Sequence, residues 1–216
     1  MLIKLLLIMA GAIILGIFLG NGAVYGFNHI PPSWLNIKDK EDRQRINSYP
    51  WKYVFSMFFI IVGIYLGVKN WHYALSAVIT MFILLEITIG SKKYQTVPNQ
   101  LFWLLGLSAV SFVPFHTNVR DMFIAMAIGI VTSLVILTIP LLLKKGVDYT
   151  LVPLGGICGL IMGTKGILWV ITIGCIAYLL YSSERLKRKK KQIGIVPFIS
   201  ILTIIYLGIV FIETIR

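Results

Sequence analysis

The chain has 216 residues, 58% hydrophobic and 13% charged, with 20 Lys and Arg against 8 Asp and Glu for a formal net charge of +12. With a mean hydropathy of +0.88, this composition excludes a soluble globular domain, where about a quarter of residues are charged, and indicates a polytopic, all-α membrane protein. In such a chain the basic excess points to cytoplasmic loops rather than nucleic acid. Cys158 and Cys175 both sit in apolar runs and offer neither a disulfide framework nor a metal spacing.

Polar clusters cut the chain into eight apolar segments of spanning character: Leu2 to Val24, Tyr53 to Val68, Tyr73 to Gly90, Asn99 to Phe115, Met122 to Leu143, Asp148 to Gly163, Ile167 to Ser182 and Ile193 to Ile212. One set of connections carries Lys38, Lys40, Arg43, Arg45, Lys52, Lys92, Lys93, Lys144, Lys145, Arg185 and Lys187 to Lys191; the other has Lys4, Lys69, Arg120, Lys165 and Arg216. Fifteen of the 20 basic residues on one side place both termini outside and the larger loops in the cytoplasm. Two rival topologies would change this count. A cleaved signal peptide, with Lys4 as its basic region and Gly20 to Ala23 near the cleavage site, would invert the count. A re-entrant sixth segment would move the basic run from Arg185 to Lys191 outside. That run reads as a topology anchor that also touches anionic lipid.

Ionisable groups at membrane depth are expensive and so mark candidate sites. Glu86, in the middle of the third segment, must find a partner, a water-filled cavity or a proton. Asp148 sits at the cytoplasmic mouth of the sixth segment, where it can serve as a helix cap, an acid/base group, or both. His29, His72 and His116 fall in different connections, so no metal site is expected, and no nucleophile with a His partner or phosphate loop is evident. Gly155, Gly159 and Gly163 recur every fourth residue, as do Gly16 and Gly20, which allows helices to approach closely. Cys158 and Cys175 are expected to pack as small apolar residues.

Read in order, the segments resemble the type IV prepilin leader peptidases, membrane aspartyl proteases that trim prepilins and pseudopilins in type IV pilus and type II secretion systems. The resemblance covers nearly the whole chain. Gly16 to Tyr25 partly matches the family's first-helix Gly-Ser-Phe-Leu-Asn-Val-Val-Ile-Tyr stretch, and Ile46 to Lys52 is similar to its Arg-Tyr-Pro-Leu-Val-Glu approach to the second helix. Ser91 to Asn99, ending in Val97-Pro98-Asn99, resembles the signature that carries the first catalytic aspartate. Lys145-Gly146-Val147-Asp148 resembles Gly-x-Gly-Asp, which carries the second, and Gly194 to Phe198, with Pro197, is similar to the Ile-Pro-Phe opening of the last helix.

The departures bear directly on activity. Aligning Pro98 and Asn99 with the family's Pro-Asn puts Ser91 where the first aspartate belongs. In aspartyl proteolysis two carboxylates share a proton, one activating water and the other protonating the substrate, and a serine hydroxyl does neither at neutral pH. Val147 and Thr150 also depart from the family pattern. Glu86 is a poor substitute, because it lies five residues before Ser91, about 7.5 Å along a helix and about 140° around it. The loop from Asn28 to Lys52 has no cysteine, so the methyltransferase half and methyl donor of bifunctional members look absent, and no cofactor is expected.

The resemblance therefore implies a single prepilin-peptidase-like membrane domain over residues 1–216 in a prokaryotic plasma membrane. Dual-aspartate cleavage would be lost, and a cytoplasm-facing groove would remain for prepilin-like or other single-span helices. Two alternatives stay open: an active leader peptidase using Asp148 with an unconventional second carboxylate, and a small-solute carrier using Glu86. The absence of an inverted repeat weakens the carrier reading.

Overall fold

The computed structural model describes residues 2–31, 34, 46–94, 97–116, 118–142, 149–187 and 194–214, and these are helical with no strand. The helices are α1 (Leu2–His29), α2 (Ser48–Lys69), α3 (Trp71–Tyr94), α4 (Asn99–Val110), α5 (Val119–Leu142), α6 (Leu151–Lys187) and α7 (Val196–Thr214), with a 3-10 turn at Val113–Phe115. By length and composition five of them, α1, α2, α3, α5 and α6, can cross a membrane; α4 and α7 are shorter apolar helices.

The ends follow local chemistry. Pro50 bars Tyr49 from the helical region, so Tyr49 is extended (φ −106°, ψ 124°) while the Asn47 side chain accepts its N–H. Pro197 sits in the first turn of α7, where its missing N–H would be unpaired in any case. The fourth apolar segment, expected to run to Phe115, stops as α4 at Val110. Pro114 cannot donate to a continuing helix, and the chain turns so that Phe112 and Phe115 pack edge-on against Tyr73. The loop expected over 28–52 is narrower, because Asn28 and His29 close α1 and Ser48 opens α2.

α1 and α2 pack antiparallel through small residues: Gly16 lies against Ile60, Gly20 against Ser56, and Gly63 against Ala12. A second glycine seam joins α5 to α6, where Gly129 meets Gly155 and Gly159 meets the Ala125 carbonyl. Between them stands α3, buried over more of its length than the other spanning helices, with Ala77, Met81, Leu84 and Ile87 fully enclosed. Its neighbours are α1, α2, α4 and α7. Outward faces stay apolar, as with Leu2, Ile14, Phe18 and Trp103, consistent with lipid contact.

α6 is not one straight rod. Gly163 has φ 72° and ψ 178°, a conformation essentially confined to glycine. On one side of it Cys158 accepts a hydrogen bond from Thr203 at 3.5 Å; on the other, Gly174 lies against Ile199 and Leu202. Along a straight helix Cys158 and Gly174 would be about 24 Å apart, yet both meet the same two turns of α7. The chain therefore folds back at Gly163, and its two arms stand side by side against α7.

This arrangement sorts the termini. One end collects the C-termini of α1 and α3 and the N-termini of α2, α4 and α7; the other holds the Gly163 turn, Tyr73 bonded to the Leu207 carbonyl at 2.8 Å, and the start of α5. Among the described residues Lys52, Lys92 and Lys93 lie at the first end, and Lys4, Lys69, Arg120 and Lys165 at the second.

Candidate functional site

The sequence-selected residues divide between described and undescribed chain. Asp148 and Gly146 lie outside the described residues, as does Val147. Ser91, Pro98, Asn99 and Pro197 all lie at the end that carries Lys92 and Lys93. Pro98 is buried and precedes α4, Asn99 is exposed as the first residue of α4, and Pro197 is buried in α7.

Ser91 closes the inward face of α3, one turn beyond Ile87 and two beyond Leu84. It is 1% exposed, and its Oγ has no hydrogen-bond partner among the described residues. Glu86 belongs to another face of the same helix. Its Oε1 points at Gly26 of α1, 3.6 Å from where a Cβ there would stand, while Phe82, one turn earlier, faces Gly22. Glu86 is 4% exposed, and neither carboxyl oxygen has a hydrogen-bond partner among the described residues. The structure thus keeps Glu86 and Ser91 on one helix but does not aim them at a common point, as regular helical geometry requires for residues five apart.

Around this end the chain is held by contacts that sequence reasoning missed. The Asn28 amide donates to the Ile46 carbonyl at 3.0 Å and accepts the Ile46 N–H at 2.8 Å, a reciprocal pair that fixes where the chain re-enters the bundle. Phe27 stacks on Tyr94 at 5.6 Å in a small cluster with Ile30, Ile46 and Ile89. An asparagine next to an aromatic residue at a helix end was the available signal, but its partner is 18 residues away. A groove of 540 Å³ opens here between α2 and α3, with Lys92 and Lys93 in its wall.

At the opposite end His116, Asp121 and Thr164 clamp the Gly163 turn. Thr164 donates its hydroxyl to Asp121 Oδ1 at 2.6 Å and its N–H to Oδ2 at 3.4 Å, and His116 Nε2 meets the Ile161 carbonyl at 2.9 Å. The arrangement holds a backbone turn. His29 stacks on Tyr25 and bonds its carbonyl, and the His72 ring lies tilted against Trp71. Among the described residues no three His, Cys, Asp or Glu side chains converge as metal ligands. Cys158 is buried and Cys175 partly buried, both as free thiols.

No protein-family model, curated protein or solved structure matches the chain. Its long apolar helices define the class: an α-helical membrane protein.

Proposed function

We propose that this chain is a degenerate prepilin-peptidase-like membrane protein that holds a prepilin-like or other single-span helix without dual-aspartate cleavage. Its termini lie outside and its basic loops face the cytoplasm of a prokaryotic cell. The reading rests on the resemblance and is carried by one observation: Ser91, aligned with the missing aspartate, is buried with an unpartnered hydroxyl and cannot poise a water as a carboxylate does. The fold-back at Gly163 supports eight helical segments rather than seven, and Pro98 and Pro197 precede or open helices at one end, as the resemblance implies.

A client helix has a surface to lie on. An apolar groove of 470 Å³ runs between α1, α2 and α3, walled by Gly11, Ala12, Gly63, Gly67 and Ala74, in the half of the bundle that carries Lys4 and Trp71 rather than Ser91. Small residues of this kind let a second helix backbone approach closely, which supplies much of helix association in lipid.

The test is co-expression with a tagged prepilin, reading leader loss as a gel shift. No shift with the unaltered protein and cleavage with Ser91→Asp, abolished by adding Asp148→Asn, is the expected pattern. Cleavage by the unaltered protein that disappears in Asp148→Asn would instead establish the active-peptidase alternative. The solute-carrier reading keeps one observation in its favour, the buried and unpartnered Glu86 carboxyl group. Uptake that depends on Glu86 and fails in Glu86→Gln, without sensitivity at Pro98 or Asp148, would favour it.

A further inference from the structure

Among the described residues Asn21 is the one Asn or Gln set more than two turns from either end of a spanning helix. α1 is 28 residues long, about 42 Å, so it overhangs a hydrocarbon core about 30 Å thick by about 6 Å at each end. Asn21 stands about 12 Å before His29 along the helix and therefore lies inside the core. Its Nδ2 donates to the Ile17 carbonyl at 2.8 Å. A hydroxyl has one hydrogen to place and is satisfied in this way, as Thr132 is by the Ile128 carbonyl at 2.7 Å. The carboxamide still has a second N–H and a carbonyl oxygen to pair. Asn21 is exposed and makes no other bond, and hydrocarbon offers neither donor nor acceptor.

Its neighbours on this face are spaced for a helix partner. Ile14, Phe18, Asn21 and Tyr25 follow steps of four, three and four residues, the 3.5-residue period of two helices in a left-handed crossing, which is also the commonest packing of helices in lipid. Ile14 is 71%, Phe18 72% and Tyr25 66% exposed, and the cleft along them is lined by α1 alone. The client groove lies on another side of α1, at Ala12 and Leu15, so this face is independent of the client-helix reading.

We propose that the face is a contact with a second copy of the chain, in which two α1 helices cross in parallel about a two-fold axis along the membrane normal and the two Asn21 side chains pair with each other. Two arguments select a second copy over an unrelated helix. Copies of one chain share one orientation in the membrane, so such an axis sets each residue of the contact against its own counterpart at the same depth. A carboxamide is then self-complementary: each Asn21 donates its free N–H to the Oδ1 of the other, and both leftover groups are satisfied. An unrelated helix would have to bring its own amide to this depth. A single Asn within a heptad contact also fixes register and the number of helices.

The full chain, carrying a donor or an acceptor dye on a C-terminal tag, is mixed and reconstituted in phosphatidylcholine vesicles, and energy transfer is followed as added lipid dilutes the protein. Transfer above the level for non-interacting labels is expected. Asn21→Val should move the dissociation midpoint about tenfold toward higher protein density, as loss of two interhelical bonds requires, while Asn21→Gln, which keeps the carboxamide, stays within about threefold of the unaltered chain. Both variants are checked for the unaltered elution volume in detergent; should Asn21→Val aggregate, Asn21→Thr, whose hydroxyl bonds its own helix, takes its place. Transfer at the non-interacting level at every dilution overturns the proposal. So does a midpoint that Asn21→Val leaves in place, because the copies would then meet through another face. Equal weakening by Asn21→Val and Asn21→Gln would assign the contact to side-chain shape and overturn it, as would an equal shift in Leu107→Ala on the exposed face of α4. Transfer to a labelled single-span helix but not between copies would place a client on this face and also overturn it.

Discussion

Two seams of the bundle are built from the same sequence device and differ in what the glycines meet. Between α1 and α2 the close approach is graded. Gly20 faces the Ser56 backbone, Gly16 meets both the side chain and backbone nitrogen of Ile60, and Gly67 meets only the Ile8 methyl group. Between α5 and α6 carbonyls are the obstacle at two positions, since a Cβ on Gly129 would strike the Gly155 carbonyl and one on Gly159 the Ala125 carbonyl, whereas Gly156 meets only the side chains of Ile130 and Met126. A side chain can move aside and a helix backbone cannot, so equal spacing in the sequence corresponds to unequal tolerance in the fold.

The sharpest way to break this comparison is Gly159→Leu. Overpacking against backbone lies at the top of the usual range, about 3 kcal/mol, and loss of the monodisperse peak in detergent is the expected result. Recovery of a normal peak and melting temperature would mean that the backbone facing Gly159 yields as the Ile8 side chain facing Gly67 does. Gly163→Ala comes next: holding a residue with a Cβ in that conformation costs about 1–3 kcal/mol, visible as a lowered melting temperature with the fold retained.

Thr164→Val tests whether the second seam depends on its clamp. Removing a hydrogen bond to a carboxylate is worth about 1.5–3 kcal/mol, and part exposure of the site puts the expected loss at the lower figure. On the first seam Gly67→Ala should cost under about 1.5 kcal/mol, and Ile8→Leu, which removes the Cγ2 methyl that faces Gly67, should restore most of it. A melting temperature that Ile8→Leu leaves unchanged would show that backbone, not side chain, limits the approach there. The smallest effect on stability belongs to Gly11→Leu, whose Cβ meets nothing within 4 Å. Stability should be unchanged while co-purification of a client helix falls, and a client that still binds would place it outside the α1–α2–α3 groove.

Much of this architecture was legible in the order of residues. Apolar runs announce spanning helices because lipid removes charge from them, and the break after the sixth segment falls at Gly163, where the backbone turns. The separation of Lys92 and Lys93 from Lys4, Lys69, Arg120 and Lys165 also followed from counting along the chain. The sequence could place Ser91 and Glu86 five residues apart, and regular helix geometry then sends them to different faces.

Only the tertiary structure decided what each face meets: the bare Gly26 opposite Glu86, the Ala125 carbonyl opposite Gly159, and Ile46 held by Asn28. It alone set the two arms of α6 side by side against α7 and gathered Asp121 with Thr164 across 43 residues of chain. The reason is physical. Hydropathy and helical period are properties of neighbouring residues, whereas the atom that fills the space beside a glycine or a buried carboxyl group comes from a helix whose distance along the chain carries no trace of the contact.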